Sequence, residues 1–492
     1  MDTTIVFAAD VPAATISDRV RRGELARIAT GVYTSDVTSD PAAVVAREWH
    51  NIAGRMFPDA VITDRSAVTG GSADGVLYLA HVGRARRVDL PGLSVTARPG
   101  AGPLEGDISL PGGLHQASKG RALAENARPS RSRDGRVRRT LDAAELGDWV
   151  DRLCQVDGPE RLAGYREQAE RVADAVGAPQ DYVKALSQVI GAALGTQQVS
   201  TSSRALAARQ ALLPYDQDRL RLFAQLADSL RESAPQNRPV PDPSDPRYAH
   251  LPFFEAYFSN FIEGTEFLLD EAVAIVYEGK QLPGRADDTH DLLGTYRVVA
   301  DLTEMTPLAS TPAEFLQLLR SRHATILGGR PEKRPGLFKQ APNRAGNSLF
   351  VLPELVPGTL QAGWDGLAAL DTAFERAVYM MFLVSEVHPF DDGNGRVARV
   401  MMNTELVSGA QSRIIIPTVF RDDYLGGLRQ MTRYSDTSVL IKAMRYAHDY
   451  TAQIDFSALA GATEVLRTTN AFSEPDSSDR LQLLAAPKTR FR

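Results

Sequence analysis

The chain has 492 residues, 43% of them hydrophobic and 24% charged. That is an ordinary balance for a soluble globular protein and too much chain for one core, so about three domains are expected. A net charge of −6 excludes a general nucleic-acid binder while leaving room for one basic patch. The single cysteine, Cys154, excludes an intrachain disulfide and a cysteine-based metal site, and it suits a reducing compartment. No apolar run approaches the roughly 18 residues of a membrane span. The opening Met1-Asp-Thr-Thr lacks the basic and apolar regions of a signal peptide. A cytosolic protein without a membrane partner is expected.

Residues 1–145 mix short strands with turns, an α+β pattern. Thr15–Leu25 predicts a short helix ending at Gly23, and Arg27–Thr34 a turn and a strand. The run Ile16–Tyr33 resembles the winged helix-turn-helix of AbiEi-type antitoxins from toxin–antitoxin systems. The resemblance implies a DNA-binding module, with Arg19, Arg21, Arg22 and Arg27 as candidate phosphate contacts. The alternative is a solvated basic helix face. Lys119–Arg139 carries eight basic residues against Glu125 and Asp134, a charge run that reads as a connector or a second contact with nucleic acid.

Residues 146–232 show helical spacing of Leu153, Val156, Leu162, Val172, Val183, Leu186 and Ile190, and predict a helical spacer. Ala234–Pro246 holds five prolines in thirteen residues, which predicts a stiff linker over 233–246. A mainly α-helical catalytic region is expected over 247–455, and a mobile tail over 456–492.

Within that region, Phe254, Tyr257, Phe258, Phe261 and Ile262 form an apolar stripe that ends in Ser259-Asn-Phe-Ile-Glu263-Gly264. Arg334–Val351 predicts a β-hairpin, with Gly346-Asn347 as its turn and Leu349, Phe350 and Val351 as its β-prone arm. Asp371–Val387 predicts a helix stopped by Pro389, and Arg396–Val407 a second one. Between them lies His388-Pro-Phe-Asp-Asp-Gly-Asn-Gly-Arg-Val-Ala-Arg399. Gly393-Asn394-Gly395 thus falls at a helix N-terminus, where unpaired N–H groups and the helix dipole favour an anion. Arg396 and Arg399 sit in the first turn, unfavourable there unless an anion lodges between them. Asp392 is a lone carboxylate suited to Mg²⁺ on a phosphate ligand, and His388 titrates near neutrality. Asp-Asp-Gly-Asn-Gly alone also fits a turn or a calcium loop, but the EF-hand spacing fails for want of Glu at the twelfth position.

The segment resembles the signature of the Fic family, His-x-Phe-x-(Asp/Glu)-Gly-Asn-Gly-Arg-x-x-Arg, at every specified position. The resemblance implies transfer of AMP from ATP to Ser, Thr or Tyr hydroxyls of target proteins. His388 would be the general base, Asp392 the Mg²⁺ ligand, Gly393, Asn394 and Gly395 the anion hole, and Arg396 and Arg399 the ATP phosphate ligands. Relatives that transfer phosphate carry lysine in place of Gly395. Ser259–Gly264 resembles the inhibitory motif (Ser/Thr)-x-x-x-Glu-(Gly/Asn) of class II members. That implies Glu263 pairs with Arg399 where the γ-phosphate must lie. Residues 334–351 resemble the family's target-binding flap. Removal of AMP, a homo-oligomer, and DNA held by the N-terminal region complete the implied range. The rival reading is a DNA-binding transcriptional regulator whose Fic-like part senses nucleotide without catalysis.

Overall fold

A computed structural model describes residues 4–131, 137–346 and 348–484. The chain divides into two compact units, 1–212 and 213–492, rather than at 145 and 232. Among the described residues, no helix is long and apolar enough to cross a membrane.

The first unit opens with β1 (Ile5–Phe7), α1 (Ala13–Arg21), β2 (Ala26–Ala29) and β3 (Val32–Thr34), the strands forming an antiparallel sheet of order β1-β3-β2. Gly23, at φ +71, follows the helix as expected. The region resembling a winged helix-turn-helix is therefore one nine-residue helix and a small sheet. No second helix lies between residues 4 and 40, among the described residues.

Next come α2 (Pro41–Met56), β4 (Val61–Ile62), α3 (Asp64–Thr69), β5 (Val76–His81), β6 (Arg86–Leu90), β7 (Leu93–Pro99), β8 (Ile108–Ser109), β9 (His115–Gln116) and α4 (Lys119–Asn126). Strands β4–β9 form a six-stranded mixed sheet of order β6-β7-β5-β4-β9-β8, parallel at β5/β7 and β4/β9. Helices α5 (Ala143–Asp157), α6 (Pro159–Val176), α7 (Gln180–Ala193) and α8 (Arg204–Gln210) complete the unit. Alternation along β4 explains why these helices are no separate spacer. Ile62 packs with Val44, Ile52 and Val95 on one face, while Val61 packs with Leu123, Trp149, Leu162 and Leu186 on the other. Neighbouring strand residues point to opposite faces, so the sheet needs the helices of 143–210 to bury its second side.

The second unit contains α9 (Gln217–Glu232), α10 (Leu251–Ile262), α11 (Leu269–Glu278), α12 (Ala286–Ala300), α13 (Leu302–Met305) and α14 (Pro312–Ile326). These are followed by β10 (Arg344–Ala345), β11 (Ser348–Leu349), α15 (Val356–Trp364), α16 (Ala373–Val387), α17 (Asn394–Ser408), α18 (Arg421–Tyr434), α19 (Thr437–Ala452) and α20 (Leu459–Thr468). α16 lies at the centre, with Ala377, Val378, Met381, Phe382 and Val384 fully buried. α9, expected in the spacer, packs on it through Phe223, whose ring meets Tyr379 and Phe382 edge-on.

The proline-rich stretch is a strap within this unit rather than a linker. Val240 N–H donates to Ala410 O at 2.8 Å, Ser412 N–H donates to Arg238 O at 2.8 Å, and Arg238 pairs with Asp449. The tail expectation is also corrected for its described part: Ala462, Leu466 and Ala471 of residues 456–484 are fully buried. Their apolar spacing gives a helix that caps the core.

α12 crosses α14 at Gly294, where an added Cβ would lie 2.6 Å from Ile326 O and 2.7 Å from Thr325 O. Two backbone carbonyls cannot rotate aside. Gly294→Ala is expected to cost about 1–3 kcal/mol, read as a lowered unfolding midpoint in denaturant. Gly426→Ala in α18, with open space at its Cβ, should be neutral or slightly stabilising. Equal midpoints for the two variants would contradict the close crossing.

Candidate functional site

α16 begins in a capping box, with Thr372 and Glu375 satisfying each other's backbone N–H groups, and it ends where Pro389 cannot continue it. His388 is its C-cap, in the left-handed region at φ +52. A non-glycine residue held there is strained, and the strain turns the imidazole out of the helix. Its Nδ1 lies 3.3 Å from Ser385 O. An Nδ1–H donated to that carbonyl leaves the Nε2 lone pair as an acceptor. Phe350 stacks on the ring at 3.8 Å and 6°. Burial is the main cause that pushes the His388 pKa down to about 4, so the ring is neutral at cellular pH.

The loop from Pro389 to Gly393 is held from inside. Asn394 accepts from Phe390 N–H at 2.8 Å and donates to Phe390 O at 2.9 Å. The Asn394 side chain is thus a brace for the turn, and only its backbone is left for an anion. Gly393 caps α17 at φ +72, and a Cβ there would run into Leu327. α17 starts at Asn394, two residues earlier than predicted, which places Gly393–Gly395 at its open N-terminus.

A cavity of about 420 Å³ lies over this end, lined by Glu263, Phe350, His388, Gly395, Arg399 and Tyr424 among others. Arg399, almost fully buried, donates to Ser259 Oγ at 3.0 Å, to Ser259 O at 2.9 Å and to Glu263 Oε1 at 2.7 Å. Its guanidinium carbon is 5.9 Å from the centre of the Tyr424 ring. Glu263, the C-cap of α10, reaches so far across that a Cβ on Gly395 would collide with its carboxylate. The carboxylate therefore fills the space above the glycine cradle.

Arg396 has a different place. It does not line the cavity. Its Nη1 binds Asp291 Oδ2 at 2.6 Å and lies 3.4 Å from Asn260 Oδ1. Asp291, fully buried on α12, also takes Arg330 Nε at 2.8 Å. Arg396 thus ties α17 to α10 and α12, and its role is to position the loop. Asp392 is partly exposed; it accepts from Gly393 N–H at 2.7 Å, with Lys333 Nζ at 3.9 Å. No cluster of three metal-binding side chains occurs among the described residues. A single accessible carboxylate beside an anion cradle suits a cation that takes its other ligands from water and phosphate.

The hairpin is present as β10 and β11, paired Ala345 with Ser348 and Arg344 with Leu349; Asn347 lies outside the described residues. Its three predicted contact residues part company. Leu349 is exposed, Phe350 covers His388, and Val351 is buried in the core. Val351 therefore has no face left for a target.

Four residues that sequence reasoning missed hold this region. His323 stacks on Phe390 at 3.7 Å, with Nε2 3.0 Å from Asp392 O, and it accepts Gly336 N–H at Nδ1. Burial lowers its pKa to about 4. Lys339 Nζ donates to Asn343 at 2.6 Å, and burial pushes its pKa down to about 8. Arg219 of α9 pairs with Glu386 at 2.8 Å and donates to Leu349 O at 2.6 Å, on the β11 edge away from β10. Asp291 is the fourth. Each looks like an ordinary helix or loop residue in sequence.

The four arginines proposed for DNA have two carboxylates between them, Asp18 and Glu24. Arg19 pairs with Glu24, Arg21 with Asp18, and Arg22 with both, while Arg27 bonds Thr30 Oγ1.

A family model described as Fic/DOC matches residues 314–406. Protein adenylyltransferase fic-1 of Caenorhabditis elegans is 27% identical over 216 residues, 40% of this chain and 42% of that protein. Protein adenylyltransferase Fic of Nematostella vectensis is 27% identical over 240 residues, 46% of this chain and 54% of that protein. The matched region thus spans about half the length of these curated relatives or less. Among solved structures, a Fic-1 fragment from C. elegans aligns at TM-score 0.37 and 18% identity, covering 66% of this chain and 93% of that one. A Fic-domain protein from Bacteroides thetaiotaomicron aligns at TM-score 0.37 and 19% identity, covering 46% and 92%.

Two outcomes follow from the geometry. Asp291→Ala leaves two guanidiniums without their shared carboxylate, one of them buried, and is expected to destabilise the second unit by about 3–5 kcal/mol. Chemical denaturation measures it, and a loss below about 1 kcal/mol would mean the pair holds nothing. In histidine-labelled protein, the ring resonances of His323 and His388 should keep their neutral-form shifts from pH 8 down to about 5, because protonation waits until about 4. Titration near the ordinary 6.5 would contradict the buried, neutral base.

Proposed function

We propose that this chain, whose residues 314–406 carry a Fic/DOC domain, is an autoinhibited protein AMP-transferase that uses ATP to modify a hydroxyl of a target protein. The observation that carries the reading is that His388, Gly395, Arg399 and Glu263 line one cavity. The names of its relatives, protein adenylyltransferases, agree with it.

In the proposed reaction the target hydroxyl gives its proton to His388 Nε2 as its oxygen attacks the α-phosphorus. The bond from that phosphorus to the bridging oxygen breaks, and pyrophosphate leaves. The backbone N–H groups at the start of α17 stabilise the charge on the phosphates, and Arg399 holds the terminal phosphate. Asp392 is the residue that would hold Mg²⁺, which when bound supplies positive charge against the phosphates. Arg396 keeps the loop in place through Asp291. The hairpin would receive the target's backbone along β11, after Arg219 releases the Leu349 carbonyl.

Glu263 restrains this reaction. Arg399 cannot give the same N–H groups to a carboxylate and to a phosphate, and the carboxylate also covers Gly395. The resting enzyme is therefore slow. Removal of AMP by water activated at Glu263 is the companion activity this arrangement permits. A nucleotide sensor without catalysis is disfavoured, because it has no use for a neutral imidazole with its Nε2 lone pair free.

Glu263→Gly should raise self-labelling from α-labelled ATP by at least about tenfold, and unchanged labelling would remove the restraint from the account. His388→Ala in the Glu263→Gly background should lower transfer by about 10²–10⁴-fold while calorimetry still registers ATP. Undiminished transfer would mean that another group takes the proton.

A further inference from the structure

The described residues of the basic run, 119–131 and 137–139, which the proposed reaction leaves unused, lie in the first unit beside a cavity of about 1030 Å³. Arg87, Arg98, Arg128, Arg131 and Arg139 line it, with Tyr78, Tyr182, Ser94 and Thr96 on its walls. The floor is a fixed ionic network. Arg98 binds Asp64 at 2.9 Å and Glu125 at 3.1 Å, and Arg139 binds Asp64 at 2.7 Å. Asp64 is fully buried and held at φ +53. Behind it the buried Arg121 joins Glu125 to Asp107. The network fixes the arginine floor against solvent.

The rim differs from the floor. Arg128 lies with its guanidinium carbon 5.9 Å from the Tyr182 ring centre, and Arg87 pairs with the exposed Asp89. Arg128 and Arg131 are exposed, and neither pairs with a carboxylate among the described residues. Among the described residues, and counting the network, six arginines face Asp64, Asp89, Asp107 and Glu125, a positive surplus. A purely structural set of ion pairs would balance. Guanidinium forks match phosphate oxygens, and a tyrosine ring beside a guanidinium offers a flat face to a base. The volume is at the upper end of small-ligand sites.

We propose that this cavity is a second binding site, separate from the Fic/DOC cavity, for a nucleotide phosphate: the phosphate contacts Arg128 and Arg131 at the rim, and the base lies by Tyr182. A free mononucleotide and a single strand share this chemistry. The test uses the full chain and an Arg128→Ala/Arg131→Ala variant, whose exposed positions leave the fold intact, as an unchanged unfolding midpoint would confirm. Radiolabelled AMP in equilibrium dialysis and a fluorescein-labelled oligothymidylate in anisotropy are the two probes. At least one should bind the wild type and weaken about tenfold or more in the variant. Loss confined to AMP identifies the free nucleotide, and loss with the oligonucleotide identifies a strand. The oligonucleotide arm does not depend on the proposed transferase site, and AMP held there contributes equally to both proteins. Equal affinity of wild type and variant for both probes, or binding of neither, would overturn the proposal.

Discussion

One guanidinium with two claimants governs the second unit. Arg399 is buried, so its charge must be matched at all times, and an unpaired buried charge costs several kcal/mol. Glu263 and the two Ser259 acceptors meet that need in the absence of ligand. In the proposed reaction a nucleotide's terminal phosphate would take over that pairing, and the two anions would exclude each other. The contact proposed to inhibit is thus also a structural one. It keeps α10 against α17, and removing it without supplying an anion leaves unpaired the charge that the proposed reaction assigns to the phosphate.

Around that residue the loop and the start of α17 are held by several side chains. Arg396 and Asp291 fix the start of α17, His323 ties the loop to Gly336 before the hairpin, and Asn394 closes the loop on itself. The base is strained at its backbone and capped by Phe350. In the proposed reaction a target would therefore have to displace an aromatic ring to reach His388, while the phosphates would meet amides that need not move. Positioning is built in, and access is what the structure withholds.

The candidate site was legible in sequence where its residues are contiguous. His388, Asp392, the glycines and Arg399 fall within a dozen residues, and Glu263 stands beside Ser259 in a six-residue pattern. Arg396 and Asn394 were visible too, but their partners were not. The carboxylate that claims Arg396 is 105 residues away, and a lone Asp in a helix carries no mark of burial. Leu349, Phe350 and Val351 read alike as β-prone, yet the strand ends at the exposed Leu349 and the chain beyond it turns inward to bury Val351. The architecture was less legible. Prolines at 235–246 look like a linker whether they span a gap or lie along a surface. Only the backbone bonds of Arg238 and Val240 distinguish the two. Helices 143–210 read as a separate bundle because the second face of the sheet, begun by Val61, is not apparent from short strands.

The most direct test compares transfer of labelled AMP by Glu263→Gly with transfer by Glu263→Gly/Arg399→Ala, both checked for native unfolding midpoints. If Glu263 acts by occupying Arg399, the gain from losing the carboxylate disappears once the guanidinium is gone, and the double variant falls to the wild-type rate or below. A double variant as fast as Glu263→Gly would contradict the competition on which the account rests.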